Sequence, residues 1–239
     1  MTQERRQIVS GSAWFKEVNG KTILNPTAKY CLQLTKKNRP KLCYIGTARG
    51  DALESIEAFY EASSCEDVSP SHLQLFPQPN QDIRRYLMEQ DVIWVDWGSV
   101  ANLLAVWRVH KIDEVLKEAW EQGVILSGVS AGSICWGIGG TTDSFGSKLK
   151  PIKNALGLLP YSIGVHYDSE EKRRPLFQKL INKGSLPAGY ATDDGVSLHF
   201  IGSELHKAIT EVEGKFAYHV YKNASGKVIE DKITPELLT

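Results

Sequence analysis

A serine set among small residues is the first feature of this sequence that could do chemistry. Ser130 lies within Gly128-Val129-Ser130-Ala131-Gly132, after an apolar run and before residues compatible with a helix. Where a strand, a tight turn and a helix meet in this way, small neighbours let the backbone turn sharply and the serine hydroxyl projects from the sheet edge. The pattern predicts a nucleophile elbow, although an ordinary strand-to-helix turn can carry the same letters.

Such a serine needs a base and an acid from elsewhere in the chain, because its hydroxyl is a weak nucleophile until a base takes its proton. Among six histidines, His166 is the best placed, since it ends a short apolar strand after the elbow. Strand carboxyl ends form the ligand crevice of open α/β sheets. Structural roles are favoured for the other histidines. Candidate acids are Asp143, Asp168 and the Asp193-Asp194 pair, each of which could instead cap a turn.

Acyl transfer also requires hydrogen-bond donors aimed at the oxyanion. The backbone N–H of Ala131, the residue after the serine, is one candidate. The turn Asp96-Trp97-Gly98-Ser99 follows a second apolar run, so the N–H of Trp97 or Gly98 could supply the other. Alternatively this turn is an ordinary connection in which Ser99 caps a helix.

The elements that would position these residues alternate along the chain. Short apolar runs and amphipathic segments follow one another, which predicts an α/β fold with a mostly parallel sheet flanked by helices. Strands are predicted at 41–48, 71–76, 91–98, 124–126 and 162–167, and helices from 51 onward and at 82–90, 99–122 and 168–183, with a Pro/Asn loop before 82. Residues 137–150 are predicted to be a loop, and 189–200 and 207–221 to be antiparallel hairpin strands at a sheet edge.

Composition narrows the class of protein. The 239 residues are expected to form a single domain, 1–239, and the zero formal net charge argues against nucleic acid or an acidic membrane as partner. Four cysteines without CxxC or zinc-like spacing predict free thiols, no metal and a reducing compartment. The polar N-terminus and the lack of a long apolar run predict neither signal peptide nor membrane span. We expect a cytoplasmic monomer or homodimer that acts on a small peptide without a cofactor.

Several segments in a fixed order resemble one family. The segments are VDWGSVANLL, the elbow GVSAGS, a TTD loop, a GLLP segment and the strand-terminal His166, within about Tyr44 to Asp194. This order resembles the peptidase E (aspartyl dipeptidase) serine peptidases and, more distantly, cyanophycinase. The resemblance implies a fold like class I glutamine amidotransferases, with serine replacing their elbow cysteine. It also implies hydrolysis of short peptides that begin with an acidic residue.

The resemblance assigns roles to individual residues. Ser130 looks like the nucleophile and His166 like the general base. Asp143, in the TTD loop, resembles the triad acid and is preferred over Asp194, which matches a second acidic position considered for that role. Arg173 resembles an arginine that pairs with the acidic side chain of the substrate, a contact suited to the guanidinium fork. Its neighbour Arg174 leaves the register open, and an exposed helix charge is the alternative for either arginine.

One turn departs from the family pattern. Relatives commonly carry a run of glycines followed by Asn-Thr, whereas this chain has Asp96-Trp97-Gly98-Ser99-Val100. A backbone donor needs no particular side chain. A tryptophan at this rim is nevertheless expected to reshape the substrate pocket, so the preference of the family for an N-terminal Asp is less firmly expected of this chain. Two other functions stay open at this point: a small serine esterase, and a catalytically silent ligand-binding member of the same fold.

Overall fold

The computed structural model describes residues 6–12, 15–77 and 82–238. The first residues of the chain, on which the prediction of no signal peptide depended, and most of the predicted Pro/Asn loop lie outside these ranges. The strands are β1 Gln7–Gly11, β2 Phe15–Val18, β3 Lys21–Leu24, β4 Lys41–Ile45, β5 Ser69–Leu73, β6 Val92–Val95, β7 Ile125–Val129, β8 Gly139–Thr142, β9 Lys150–Ile152, β10 Ser162–Gly164, β11 Gly189–Thr192, β12 Val196–Ile201, β13 Glu204–Thr210, β14 Ala217–Lys222, β15 Val228–Ile233 and β16 Glu236–Leu237. The α-helices are α1 Pro26–Leu34, α2 Leu53–Ser63, α3 Ile83–Met88, α4 Val100–His110, α5 Ile112–Gln122, α6 Ala131–Ile134 and α7 Arg173–Asn182.

Two large sheets organise the molecule, and β2 and β3 form a separate two-stranded sheet. The larger has the order β16-β13-β12-β1-β7-β6-β4-β5, and the smaller has the order β15-β14-β11-β10-β8-β9. In the larger sheet β1, β7, β6, β4 and β5 run parallel, while β12 pairs antiparallel with β1 and with β13. The predicted α/β class, with a mostly parallel sheet and antiparallel hairpins, is confirmed.

Helices cover both faces of the larger sheet, because its central strands are apolar on both sides. In β4, Cys43 and Ile45 pack in one buried cluster with side chains of α4 and α5. Leu42 and Tyr44 point to the opposite face and pack with side chains of α1 and α2. Strands buried in this way read as continuous apolar runs, and for that reason they were visible in the sequence.

The structure corrects several predicted elements. The helix predicted over 99–122 is interrupted at Lys111, which takes a left-handed conformation with φ 56° and separates α4 from α5. Residues 137–150 contain β8 as well as a loop, and α7 begins at Arg173, later than predicted. Residues 189–200 do not form one hairpin strand: β11 pairs parallel with β10 in the smaller sheet, and β12 belongs to the larger sheet.

Two further observations concern the chain as a whole. None of the helices within the described ranges is both long enough and apolar enough to cross a bilayer. The cysteines are free thiols: Cys31, Cys43 and Cys135 are buried, and Cys65 is exposed.

Candidate active site

The serine predicted to be a nucleophile sits at a sharp turn between β7 and α6. Ser130 has φ 54° and ψ −107°, and its backbone N–H donates to the Gly11 carbonyl at 3.0 Å. A non-glycine residue in this region of φ costs on the order of 1–3 kcal/mol and persists only where the surroundings hold it. The expected strand-turn-helix geometry is therefore present at Ser130.

Two glycines of the elbow are required by close packing. A Cβ on Gly132 would clash with the Val95 carbonyl, and one on Gly128 would meet Val95 O at 2.8 Å and the Gly132 carbonyl. The elbow is thus pressed against the end of β6. The small residues on both sides of Ser130 are therefore required by these close contacts as well as by the sharp turn.

A chain of hydrogen bonds joins the serine to a histidine and a carboxylate. His166 Nε2 lies 3.0 Å from Ser130 Oγ, and His166 Nδ1 lies 2.6 Å from Asp194 Oδ1. His166 follows β10 and Asp194 follows β11, and these strands are parallel neighbours, so their carboxyl ends meet at one sheet edge. With the proton on Nδ1, the ring donates to Asp194 and offers Nε2 to the serine hydroxyl.

Asp194 is held in its ionised form and in place. Its hydrogen bond with His166 lowers the pKa of the Asp194 carboxyl despite partial burial. Its backbone N–H donates to Asp168 Oδ1 at 2.9 Å, and the neighbouring Asp193 accepts from the Phe216 N–H at 3.0 Å. Asp168 and Asp193 therefore anchor the turn that presents Asp194.

The preference for Asp143 over Asp194 as the acid beside the histidine is corrected. The Asp143 side chain is 64% exposed, and its Oδ1 lies 4.0 Å from an Arg173 nitrogen. Among the described residues, the carboxylate that bonds to His166 is Asp194. Asp143 does line the same cleft. It follows β8, which neighbours β10 on the side opposite β11, the strand that Asp194 follows.

The structure also separates the two candidate arginines. Arg173 is 4% exposed, so it is no surface charge; it lies 2.8 and 2.9 Å from the carboxylate oxygens of Glu170 and donates to the Thr141 carbonyl at 2.9 Å. Arg174 points away from the cleft, pairs with Glu230 and stacks over Tyr218. Arg173 lines the cleft, but its guanidinium is already engaged by Glu170.

The turn proposed for the second oxyanion donor contains one position that only glycine can occupy. Gly98 takes φ 132°, and a Cβ there would clash with the Ala48 carbonyl, so glycine is required. Trp97 needs no such conformation, and its backbone N–H acts to lower the pKa of the Asp96 carboxyl. Within the described residues the N–H groups of Ala131 and Gly98 have no acceptor. Ser99 caps α4 by accepting from the Asn102 N–H at 3.2 Å.

Asp96 is buried beneath this turn. Tyr44 donates to its Oδ2 at 2.5 Å, while its Oδ1 has no hydrogen-bond partner. Burial disfavours the charged carboxylate and raises the pKa of Asp96 to about 6, although Tyr44, the Trp97 N–H and Arg49 act in the opposite direction. A titratable group therefore lies directly under the turn that carries Gly98.

These groups surround one cleft of about 370 Å³. It is lined by Trp97, Gly98, Ser99, Ser130, Asp143, His166, Glu170 and Arg173. A cluster of three or more His, Cys, Asp or Glu side chains able to hold a metal ion was not found in the described part of the chain.

Three residues at or beside the cleft were missed by sequence reasoning: Glu170, Asp96 as a buried acid, and Arg49. Glu170 precedes Arg173 by three residues, a spacing that could have suggested the pair. Asp96 ends an apolar run at the edge where ligands bind. Arg49 follows β4, and only the sheet order brings its side chain to Trp97.

Comparison with known proteins relates the chain to one family of peptidases. The model of peptidase family S51 matches residues 8–208. The uncharacterized peptidase YgaJ of Bacillus subtilis (strain 168) is 43% identical over 192 residues, which is 80% of this chain and 83% of the relative.

Two solved structures share the fold. One, described as a candidate peptidase E protein from Listeria monocytogenes EGD-e, has a TM-score of 0.59 at 17% identity and covers 96% of this chain and 99% of its own. The other, a peptidase from an acI-B1 Actinobacterium, has a TM-score of 0.69 at 12% identity, with coverage of 96% and 94%. The predicted family resemblance is confirmed, and these neighbours support the fold.

Proposed function

The chain belongs to peptidase family S51, and from that premise we propose that it hydrolyses dipeptides or other short peptides with Ser130 as nucleophile. The observation that carries the proposal is the hydrogen-bond chain from Asp194 through His166 to Ser130. This is the order of acid, base and nucleophile that acyl transfer to a serine requires.

The proposed reaction has two halves. Ser130 Oγ attacks the carbonyl carbon of the scissile peptide bond while His166 Nε2 takes the hydroxyl proton. His166 then gives this proton to the leaving amine as the C–N bond breaks, which leaves an acyl-enzyme. Water, deprotonated by His166, attacks the ester, and the acid is released with Ser130 restored. Asp194 keeps the imidazole in its productive tautomer and stabilises the imidazolium.

The oxyanion of each tetrahedral intermediate would be bound by the N–H groups of Ala131 and Gly98. Both lack an acceptor among the described residues; Ala131 follows Ser130 directly in the chain, and Gly98 lines the same cleft as Ser130. The N–H of Trp97 is the weaker candidate, because it acts on the Asp96 carboxylate, whose pKa it lowers. Preorganised donors of this kind commonly contribute about 3 kcal/mol each to the transition state.

Cleft size favours short substrates over proteins. A volume of about 370 Å³ lies at the lower end of the range for small-molecule sites. A pocket of that size has room for a few substrate residues. We place the reaction in the cytoplasm on the ground that the cysteines are unpaired.

The preference for an N-terminal Asp is the least supported part of the family pattern. Arg173 is the arginine expected to bind that side chain, yet both of its Glu170 contacts lie within 2.9 Å. An aspartyl side chain would have to compete with Glu170 for the fork. We therefore propose a first-residue preference that extends beyond Asp.

A dipeptide library tests the proposal. Wild type is expected to release amino acids from a subset of the library, and Ser130→Ala to lose this activity by about 10⁵-fold or more. Library-wide inactivity together with rapid hydrolysis of aryl esters would favour the serine esterase. Inactivity on both, in protein that is folded by circular dichroism, would favour the silent ligand-binding protein.

A further inference from the structure

The cleft has two walls that come from different sheets. Asp143 follows β8 of the smaller sheet, and Glu170 precedes α7, which packs on that sheet. Trp97 follows β6 and Arg49 lies just after β4, both in the larger sheet, where β7, β6 and β4 are consecutive neighbours. Ser130 at the end of β7 therefore lies between the two walls.

The two walls differ in charge. The first carries the carboxylates of Asp143 and Glu170 around the single guanidinium of Arg173, so it has an excess of negative charge. On the second wall, Trp97 lines the cleft, and Arg49 lies behind it, outside the lining residues, with its Cζ 4.2 Å from the centroid of the Trp97 ring and its charge close enough to Asp96 to lower the pKa of that acid. Trp97 is 51% exposed and lines the cleft, so the cation sits on a side chain that faces the substrate.

Arg49 has hydrogen-bonding capacity to spare. Its Nη1 donates to Ser55 Oγ at 2.5 Å, and its Nη2 lies 3.4 Å from a carboxylate oxygen of the mostly exposed Glu54. A guanidinium has five N–H donors, so these contacts orient the group without exhausting it. A cation stacked on an indole ring is held in position while its edge remains available to an anion.

We propose that Arg49, seated on Trp97, binds the C-terminal carboxylate of the short peptide substrate, and that the acidic wall receives its N-terminal ammonium. The inference rests on the proposed peptidase function and deepens it. A dipeptide is a zwitterion, and the charge of the two walls matches its two ends. This role would explain why the chain has Trp97 where the family has a run of glycines, because an indole ring can stack with the guanidinium and a glycine cannot.

The dimensions favour a leaving group of one residue. Neighbouring strands lie about 4.8 Å apart, so the end of β4 is about 10 Å from the elbow. An extended residue spans about 3.5 Å. The contact of the Arg49 guanidinium with Trp97, which follows β6, brings it toward the strand that lies between β4 and the elbow. A peptide with several residues after the scissile bond would carry its carboxylate past the guanidinium.

Binding to an inactive protein tests this inference apart from catalysis. The probes are dipeptides Xaa-Leu with each of the twenty first residues, as free acids and as C-terminal amides, titrated calorimetrically into Ser130→Ala. We expect the free acids that bind to do so about 10- to 100-fold more tightly than their amides, as for a charge-assisted contact. Arg49→Gln in the same background should bring this ratio to about 1.

Two further variants keep the test decisive. Arg49→Lys retains the charge without the fork and should retain part of the preference. Arg39→Gln removes an exposed arginine from another part of the surface and should leave the ratio unchanged. An acid-to-amide ratio near 1 in Ser130→Ala, or a ratio that Arg49→Gln does not alter, would overturn the inference. Lack of peptide hydrolysis by wild type, with the binding preference intact, would overturn the proposed function and leave Arg49 as a carboxylate-binding residue.

Discussion

The two sheets contribute to the cleft in different ways. The larger sheet supplies Ser130 and Gly98 through backbone packed so closely that a Cβ on Gly98, Gly128 or Gly132 would clash with a neighbouring carbonyl. The smaller sheet supplies His166 and Asp194 through side chains at strand ends, and the Asp194 side chain is 41% exposed. The proposed nucleophile and oxyanion donors are therefore fixed by main-chain contacts, whereas the proposed base and acid are fixed by hydrogen bonds between side chains.

The first prediction compares Asp194 with Asp143, two acids that follow strands of the smaller sheet, and has the largest expected effect. Asp194→Asn should lower kcat/KM by about 10²- to 10⁴-fold, because an amide facing Nδ1 disfavours the productive tautomer and no longer stabilises the imidazolium. Asp143→Asn is the matched control and should lower it less than about 10-fold. Steady-state kinetics on the best dipeptide of the library measures both. Equal losses, or a larger loss for Asp143→Asn, would contradict the assignment of Asp194.

The second prediction probes the close packing of the larger sheet. Gly132→Ala should destabilise the protein by about 3 kcal/mol or more, because its Cβ has to displace the main chain of Val95. Gly226→Ala is a control for backbone conformation alone: it has open space and φ 80°, and should cost about 1 kcal/mol. Urea denaturation followed by circular dichroism gives both values. A Gly132→Ala variant as stable as wild type would show that the elbow can relax.

The third prediction concerns pH and the acid beneath the Gly98 turn. Burial raises the pKa of Asp96 from 3.8 to about 6. Between these two pH values Asp96 keeps its proton in the folded state and has lost it in the unfolded state. This group should therefore lower the free energy of unfolding as pH rises from about 4 to about 6, by about 2 kcal/mol. Asp96→Asn removes the titration, so the stability gained by the variant over wild type should grow across that window.

The control for this prediction is Asp67→Asn, which replaces an exposed acid. Its stability difference from wild type should be flat over the same pH range. Thermal melts at pH 4, 5, 6 and 7 measure all three proteins. A difference between Asp96→Asn and wild type that stays constant with pH would contradict a raised pKa at Asp96.

The fourth prediction has the smallest effect and concerns the first substrate residue. Glu170→Gln should weaken the hold on the Arg173 fork and raise kcat/KM for Asp-Xaa relative to Ala-Xaa by about 3- to 10-fold. Glu171→Gln is the neighbouring control and should leave this ratio unchanged. Competition assays with Asp-Leu and Ala-Leu measure it. A ratio that falls in Glu170→Gln would show that Glu170 supports acidic substrates instead of competing with them.

The same contrast explains what could be predicted from the sequence. The elbow at Ser130 depends on residues adjacent in the sequence, so its glycines predict the sharp turn. Which acid lies beside His166 depends on the parallel pairing of β10 with β11, which brings Asp194 to His166 across 28 positions of the chain. The TTD loop gave Asp143 an equally good local pattern, and nothing local encodes the strand order that separates them.

Other errors have similar causes. The break between α4 and α5 occurs at Lys111, a residue type that gives no local signal for a left-handed conformation. Arg173 and Arg174 are adjacent, and only the packing of α7 decides that the first is buried at the cleft and the second faces Glu230. Arg49 was missed because it contacts Trp97 only as a result of the pairing of β4 with β6, which the sequence does not reveal.

Labelling of the serine by a fluorophosphonate measures its activation most directly, without knowledge of the substrate. Wild type should be modified at Ser130, identified by peptide mass spectrometry, and the labelling rate should fall by orders of magnitude in His166→Ala and strongly in Asp194→Asn, while Asp143→Asn stays near wild type. Absence of label on Ser130 in folded wild type, or a rate that does not depend on His166, would contradict a serine activated through His166 and Asp194.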